Sequence, residues 1–169
     1  MIDVEWYAIF VETGKEEIVQ KYLRLRFGES LISLVPKRVV TEKRNGRFYQ
    51  VTKKLFPGYV FLHINLNNEV YFKVSSLPNV YRILKSKGSC ISIKQEEMIP
   101  LLRLLNGKEI IEISQIEVNP NVKIVSGPLR GLEGLIKKIN MHTRRVKIAV
   151  IFDGHERLID LGIELLETV

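Results

Sequence analysis

The stretch KKLFPGYVFLHI, which runs from Lys53 to Ile64, predicts a strand that is entered through a Pro-Gly turn. Successive side chains of a strand point to opposite faces of its sheet. One face of this strand is aliphatic and comprises Val60, Leu62 and Ile64. The other face is aromatic and comprises Tyr59, Phe61 and His63. One face must lie in the core, and the aromatic one either packs beneath a helix or forms a partner surface. Periodicity alone leaves both possibilities open.

The composition is typical of a globular protein and excludes several kinds of site. The chain has 169 residues, of which 46% are hydrophobic, enough for one sizeable core or two small ones. Its single cysteine, Cys90, rules out an internal disulfide, and the three histidines show no metal-ligand spacing. We therefore expect no metal and no cofactor, and we expect a reducing, cytoplasmic location.

The N-terminal sequence MIDVEWYAIF does not resemble a signal peptide. It begins with an acidic residue and its apolar run is too short. No apolar run reaches the roughly 18 residues that a membrane-spanning helix needs. We therefore expect a protein that is neither exported nor associated with a membrane.

The hydrophobic periodicity changes along the chain. Up to about residue 106, strand and helix patterns alternate, and an Asn-Gly pair at Asn45 and Gly46 predicts a β-hairpin. The predicted elements of this part are a strand over Trp6–Val11, a helix from Thr13 to just before Gly28, the hairpin, a helix ending at Pro78, a short strand and a further helix. Residues 107–119 read as a linker with some strand character. Residues 120–169 predict about five short strands separated by turns, which is typical of a small barrel.

No catalytic constellation is recognisable in the sequence. We find no nucleophile with its base, no paired carboxylates and no metal cluster. The nearest candidate for a phosphate-binding loop, GPLRGLEG, lacks the Lys-Ser/Thr ending and leads into a strand instead of a helix. We therefore expect neither enzymatic activity nor a small-molecule substrate.

The formal net charge of +7 is concentrated in two stretches. Residues 36–55 carry seven cations and one acid, Glu42, and residues 121–150 carry seven cations and one acid, Glu133. The cations of the second stretch are Lys123, Arg130, Lys137, Lys138, Arg144, Arg145 and Lys147. Strand alternation in RRVKIAVIF sets Arg145 and Lys147 opposite the apolar side chains. Each cluster is either a solvated face or a surface for nucleic-acid phosphates, and for the second cluster we favour phosphate binding, because so few acids accompany its cations.

Four motifs, in order and over nearly the whole chain, resemble one family. They are WYAIF from Trp6, ETGKEE from Glu12, LFPGYVFL from Leu55 and VKIVSGPLRGLEGLI from Val122. Together they resemble the NusG family of transcription elongation factors. The resemblance implies an α+β N-terminal domain over residues 1–106, with an antiparallel sheet flanked by helices. It also implies a linker over 107–119 and an SH3-like β-barrel, the KOW domain, over 120–169. Within the family, the basic KOW domain most resembles LoaP, a group of specialised paralogues in processive antitermination.

The resemblance also implies partners. In the family, the surface around the FPGYVF-type strand docks on the clamp helices of RNA polymerase. The residues of this chain that match that surface are Phe10, Phe56, Pro57, Tyr59 and Phe61. The nucleic acid at the seven C-terminal cations would be RNA, in the form of a structured nascent transcript. We expect a monomer that tethers the polymerase to this RNA.

The chain departs from two family members at informative places. RfaH reaches the polymerase gate loop with a His-Thr-Thr motif, whereas this chain reads NNEVYFKV there. The general NusG factor carries an IFG loop associated with termination-factor and ribosome binding, whereas this chain reads IFDGHERL. RfaH folds its KOW segment as a helical hairpin, but the alternation in VKIAVIF favours a barrel. The alternative hypotheses are a general NusG-type factor that couples polymerase to the ribosome or termination factor, and a ribosome-associated KOW protein.

Overall fold

The computed structural model describes residues 3–167, so Met1, Ile2, Thr168 and Val169 of the two predicted domains lie outside the described residues. The α-helices of this part of the chain are α1 (Glu16–Phe27), α2 (Asn68–Ser75) and α3 (Gln95–Leu105). The strands are β1 (Glu5–Val11), β2 (Ile32–Leu34), β3 (Lys37–Arg44), β4 (Arg47–Lys54), β5 (Tyr59–Ile64), β6 (Val80–Ile83), β7 (Lys85–Ser86), β8 (Ser89–Cys90), β9 (Ile110–Ile111), β10 (Ser114–Val118), β11 (Val122–Ser126), β12 (Ile136–Asn140), β13 (Arg145–Phe152) and β14 (His155–Leu165).

The chain divides into two compact units, and neither is one continuous segment. The first unit takes the residues up to Val35 and the segment Phe56–Met98, and the second takes Pro36–Leu55 and the residues from Ile99 onward. The β3–β4 hairpin therefore belongs to the same unit as the C-terminal strands. Within the predicted linker, β10 is a strand of the second unit's largest sheet.

The first unit is built on a four-stranded sheet in the order β2-β5-β1-β6, in which every neighbouring pair is antiparallel. The aliphatic face of β5 faces the core as expected, because Val60, Leu62 and Ile64 share a buried cluster with β1. Val19 and Leu23 of α1 and Val74 of α2 belong to the same cluster. Helices thus cover this face of the sheet.

A buried carboxylate fixes the turn that precedes β5. Glu16, in the first turn of α1, is 0% exposed. Its Oε1 accepts a hydrogen bond of 2.8 Å from the backbone N–H of Gly58, and its Oε2 accepts one of 3.0 Å from Gly14 N–H. Gly58 has a φ of +82°, a conformation that favours glycine. The carboxylate therefore ties the start of α1 to the Pro57-Gly58 turn.

The second unit contains a five-stranded sheet in the order β11-β10-β14-β13-β12. Its pairs are antiparallel except β10–β14, which is parallel. The burial of β13 alternates as its sequence predicts, with Val146, Ile148 and Val150 inside. The predicted hairpin is present, with β3 and β4 in register from Lys37–Lys54 to Arg44–Arg47. The helices and sheets confirm the predicted α+β fold class.

The hairpin lies against the sheet of its own unit at Gly162. A Cβ atom built on this residue would lie 2.5 Å from the carbonyl oxygen of Val39 and 3.2 Å from Cα of Val40. Because such distances are far inside van der Waals contact, only glycine permits β3 to approach β14 this closely. Gly162 thus determines where the hairpin lies on the five-stranded sheet.

We predict that Glu16→Gln destabilises the protein by about 1–3 kcal/mol, because an amide replaces a buried acceptor of two backbone donors. Glu17→Gln is the matched control, since Glu17 is exposed in the same helical turn and makes the same change of charge near the helix N-terminus. Urea denaturation of both variants measures the difference. Equal stability of the two variants would contradict a special role for Glu16.

For Gly162→Ala we expect a loss of stability of about 1–3 kcal/mol, because the added methyl group forces β3 away from β14. Gly134→Ala is the control: its φ lies outside the left-handed region and its Cβ would meet nothing within 4 Å. Thermal unfolding, followed by circular dichroism, compares the two. A Gly162→Ala protein as stable as Gly134→Ala would refute the close approach.

Candidate functional site

The five residues predicted to face a polymerase do not form one exposed face. Phe56 and Phe61 are 7% and 1% exposed, and their rings pack edge to face with centroids 5.6 Å apart. Phe10 and Tyr59 are half-buried, and Pro57 is exposed. The rings of Phe56 and Phe61 therefore lie in the interior, and the accessible surface is reduced to the other three residues.

The accessible residues form a small patch. Phe10 and Tyr59 are direct partners across the β1–β5 pair, and their ring centroids are 4.6 Å apart. The guanidinium of Arg82, on β6, lies 4.6 Å from the centre of the Phe10 ring, a cation–π contact. We call Phe10, Pro57, Tyr59 and Arg82 the aromatic patch. Sequence reasoning missed Arg82, because its position depends on the pairing of β1 with β6.

Backbone hydrogen bonds hold the turn beside this patch. Val11 N–H donates to Gly58 O over 2.9 Å, and Tyr59 N–H donates to Phe56 O over 3.2 Å. Together with the Glu16 carboxylate, these bonds fix Pro57 and Tyr59 next to the end of β1. The position of the patch is thus fixed by hydrogen bonds within the first unit.

A cleft of about 630 Å³ opens in the second unit, between the β3–β4 hairpin and strands β12 to β14. The residues that line it are Thr41, Glu42, Lys43, Arg44, Phe48, Lys138, Asn140, His142, Thr143, Arg145, Lys147 and Asp160. Five cations and two carboxylates leave an excess of three positive charges when His142 is neutral. We call this the cationic cleft. It can bind an anion of several charges.

Carboxylates already hold some of the cations of the cleft. Lys147 Nζ lies 3.1 Å from Asp160 Oδ1, and the Arg145 guanidinium lies 3.9 Å from Asp160 and 4.0 Å from Glu42. The expectation that the predicted cations would have only solvent or a polyanion as partner is therefore wrong for Arg145 and Lys147. Asp160 lies outside the charged stretch read from the sequence, and the β13–β14 register sets it opposite Lys147.

Glu42 is the second carboxylate of the cleft. Arg44 Nη2 lies 3.0 Å from its Oε2, and Lys53 pairs with its Oε1. The hydrogen bonds from Lys53 and Arg44 hold the pKa of the Glu42 carboxyl below its ordinary value. Glu42 therefore remains ionised at neutral pH and pairs with two cations of the hairpin.

Arg144 lies beside the cleft and not in its lining. Its guanidinium lies 3.8 Å from the ring centre of Phe48 on the hairpin, and Lys43 Nζ lies 5.5 Å from the same centre. Arg144 ends the turn between β12 and β13, where Thr143 N–H donates to Asn140 Oδ1 over 3.0 Å. The Phe48–Arg144 contact therefore joins the hairpin to this turn.

The remaining predicted cations lie elsewhere. Arg130 lines a second cleft, of about 400 Å³, with Arg103 and Lys108. Lys123 is exposed on β11, and Lys137 is exposed at an irregularity in the β12–β13 register. The seven predicted cations therefore do not form one surface. The structure brings Lys138, Arg145 and Lys147 together and adds the hairpin residues to them.

Residues 3–167 contain no group of three or more His, Cys, Asp and Glu side chains that could hold a metal ion. None of the helices described for this range has both the length and the apolar character required to cross a bilayer.

The sequence and the fold match known proteins over most of the chain. A family model described as "Transcription termination factor nusG" matches residues 4–102. The "Transcription termination/antitermination protein NusG" of Thermus thermophilus is 29% identical over 176 residues, which cover 95% of this chain and 96% of that protein. The protein of the same name from Bacillus subtilis is 26% identical over 171 residues, covering 95% and 96%.

A solved structure, "Domain interaction in Thermotoga maritima NusG", aligns with 29% identity and a TM-score of 0.55. The alignment covers 95% of this chain and 94% of that one. These relatives are transcription factors and not enzymes, and the structural match agrees with an N-terminal α+β domain followed by a KOW-type barrel. Because the family model spans more than half of the sequence, the chain belongs to the NusG family of transcription termination/antitermination factors.

Proposed function

We propose that this chain is a specialised antitermination factor of the LoaP type. It binds RNA polymerase through the N-terminal domain of residues 1–106 and structured nascent RNA through the KOW domain of residues 120–169. The single observation that supports this most is the cationic cleft. Its excess of positive charge suits phosphates, and the packing of a small barrel does not require it. We further propose that it acts as a monomer in the cytoplasm.

The aromatic patch supports the polymerase half of the proposal. Tyr and Phe bury a large area at a low cost in conformational entropy, which is why such residues are frequent hot spots of interfaces. Arg82 adds a cation beside the Phe10 ring, so the patch suits a partner surface that is apolar at its centre and acidic at its rim. The clamp helices of the polymerase are the proposed partner.

The mechanism is tethering without chemistry. A factor that holds the polymerase at one site and the emerging transcript at another converts the second binding event into an intramolecular one. The effective concentration of the RNA near the polymerase rises, and the polymerase clamp is held in a state that resists pausing.

One observation favours the alternative, a general factor whose barrel binds another protein. Ile151 and Leu158, on the two strands of the β13–β14 hairpin, are 53% and 55% exposed. They are diagonal neighbours in the β13–β14 register, and adjoining exposed apolar side chains are a feature of protein-binding sites. The same hairpin contains the IFDGHERL sequence, where the general NusG factor carries its IFG loop.

We expect Tyr59→Ala to weaken binding to purified core RNA polymerase by about 2 kcal/mol, roughly 30-fold, because the ring leaves the centre of the patch. Tyr49→Ala is the control, since Tyr49 is 47% exposed on the hairpin and outside the patch. Phe61 is unsuitable for this test because its buried ring supports the fold. Biolayer interferometry measures both affinities. Unchanged polymerase binding by a folded Tyr59→Ala protein would refute the docking proposal.

The RNA half is tested with Lys138→Glu combined with Arg144→Glu. Both side chains are exposed, and neither forms a salt bridge with a residue of the described range. We expect weaker binding to an RNA hairpin pool, and a salt dependence reduced by about 0.7–1 unit for each lost phosphate contact. Lys87→Glu with Lys94→Glu, two exposed lysines of the first unit, makes the same change of net charge. Filter binding at several salt concentrations gives the comparison, and equal affinities would favour the general NusG alternative.

A further inference from the structure

The cationic cleft has two walls that are far apart in the sequence. Lys43, Arg44 and Phe48 come from the hairpin, whereas Lys138, Arg145 and Lys147 come from the barrel. The proposed RNA-binding residues of the KOW domain include only the second group. A ligand in the cleft would therefore contact residues of both walls.

Three independent contacts set the hairpin wall in place. Because Gly162 has no side chain, β3 packs close to β14. The Phe48 ring lies against the Arg144 guanidinium, and Glu42 lies 4.0 Å from Arg145. Packing, cation–π and ionic contacts all join the β3–β4 hairpin to the five-stranded sheet and its β12–β13 turn. The two walls of the cleft are therefore held together within the second unit. A ligand therefore meets Arg145 and Lys147 in positions that carboxylates already hold.

The charges of the cleft are incompletely balanced. Lys138 lies directly opposite Lys147 in the β12–β13 pair, and like charges in this position destabilise a sheet. Asp160 pairs with Lys147, but among residues 3–167 neither Lys138 nor Lys43 forms a salt bridge. One lysine without a carboxylate partner thus stands on each wall, and an anion bound beside Lys138 would reduce its repulsion with Lys147.

The size of the cleft limits the ligand. A volume of about 630 Å³ is that of a small-molecule site and cannot admit a double helix. It is sufficient for one or two nucleotides that protrude from a loop or bulge. Thr41, Asn140 and Thr143 add hydroxyl and amide groups to the lining, and such groups can bond a ribose 2′-hydroxyl or a base edge.

We propose that the cationic cleft binds one or two unpaired nucleotides of RNA, with phosphates held jointly by Lys43 of the hairpin and Lys138 of the barrel. This inference rests on the proposed function and deepens it, because it assigns part of the RNA site to residues outside the KOW domain. It also divides the barrel cations: Lys138, Arg145 and Lys147 contact the nucleotides, whereas Lys123, Arg130 and Lys137 do not.

The test uses the full chain and a double variant that combines Lys43→Gln with Lys138→Gln. The probes are a pool of RNA hairpins with a fixed stem and a randomised loop, the fully paired RNA duplex of the same stem, and the corresponding DNA hairpin pool. We expect wild type to prefer the RNA hairpins to both other probes. The variant should lose this preference, and its salt dependence should fall by about 0.7 units for each lysine removed.

Arg47→Gln with Lys137→Gln is the matched control. It also removes one cation from the hairpin and one from β12, but neither residue lines the cleft. We expect it to retain the wild-type preference among probes. Thermal unfolding establishes that each protein is folded, and the single variant Lys43→Gln repeats the test should the double variant fail to fold.

The possible outcomes separate the two proposals. A Lys43→Gln protein that binds like wild type, while Lys138→Glu with Arg144→Glu weakens binding, overturns the two-walled cleft and leaves the proposed function standing. Equal affinity of wild type for hairpins and duplex overturns the unpaired nucleotides, and equal affinity for RNA and DNA hairpins overturns the selection of RNA. A wild-type protein that binds none of the probes overturns the inference and the RNA half of the proposed function together.

Discussion

The buried carboxylate of Glu16 is the contact on which the surface of the first unit depends. By accepting hydrogen bonds from Gly14 and Gly58, it joins the start of α1 to the turn that enters β5. Removing a carboxylate from water is costly unless its oxygens are satisfied, and here backbone donors satisfy them. The same contact that anchors a helix on the sheet therefore also sets the position of Pro57 and Tyr59. Stability and the candidate polymerase surface share one origin, so a mutation at Glu16 alters both.

In the second unit, the equivalent constraint is the absence of a side chain at Gly162. It lets the hairpin approach β14, and the ionic and cation–π contacts around Arg144 and Arg145 then become possible. The carboxylates of Glu42 and Asp160 hold part of the positive charge in fixed positions, and two lysines remain without such partners in the described range. This arrangement is typical of a preorganised anion site, in which acids orient the cations and an excess of cations attracts the ligand.

Much of the fold is predictable from local pattern. The Asn45-Gly46 turn, the alternation in β13 and the aliphatic face of β5 each depend on a few neighbouring residues, and each is present. The candidate sites are less predictable, because they depend on contacts between distant segments. Alternation showed that Phe61 faces away from the aliphatic cluster, but not that it is 1% exposed. Asp160 could be recognised as a partner of Lys147 only from the register of β13 and β14, and Arg82 only from the pairing of β1 and β6.

The division of the chain has a consequence for how such proteins can be recombined. The second unit draws its residues from two segments, Pro36–Leu55 and the part beyond Ile99, so the backbone passes between the units three times. A chimera that joins this barrel to another relative's N-terminal part within residues 107–119 would therefore replace the hairpin while keeping Gly162 and Arg144. In such a chimera, this barrel would pack against the hairpin of the other relative, which has other side chains in place of Phe48 and Glu42. Exchange of the barrel alone transfers one wall of the cationic cleft, and the whole cleft moves only when residues 36–55 move with it.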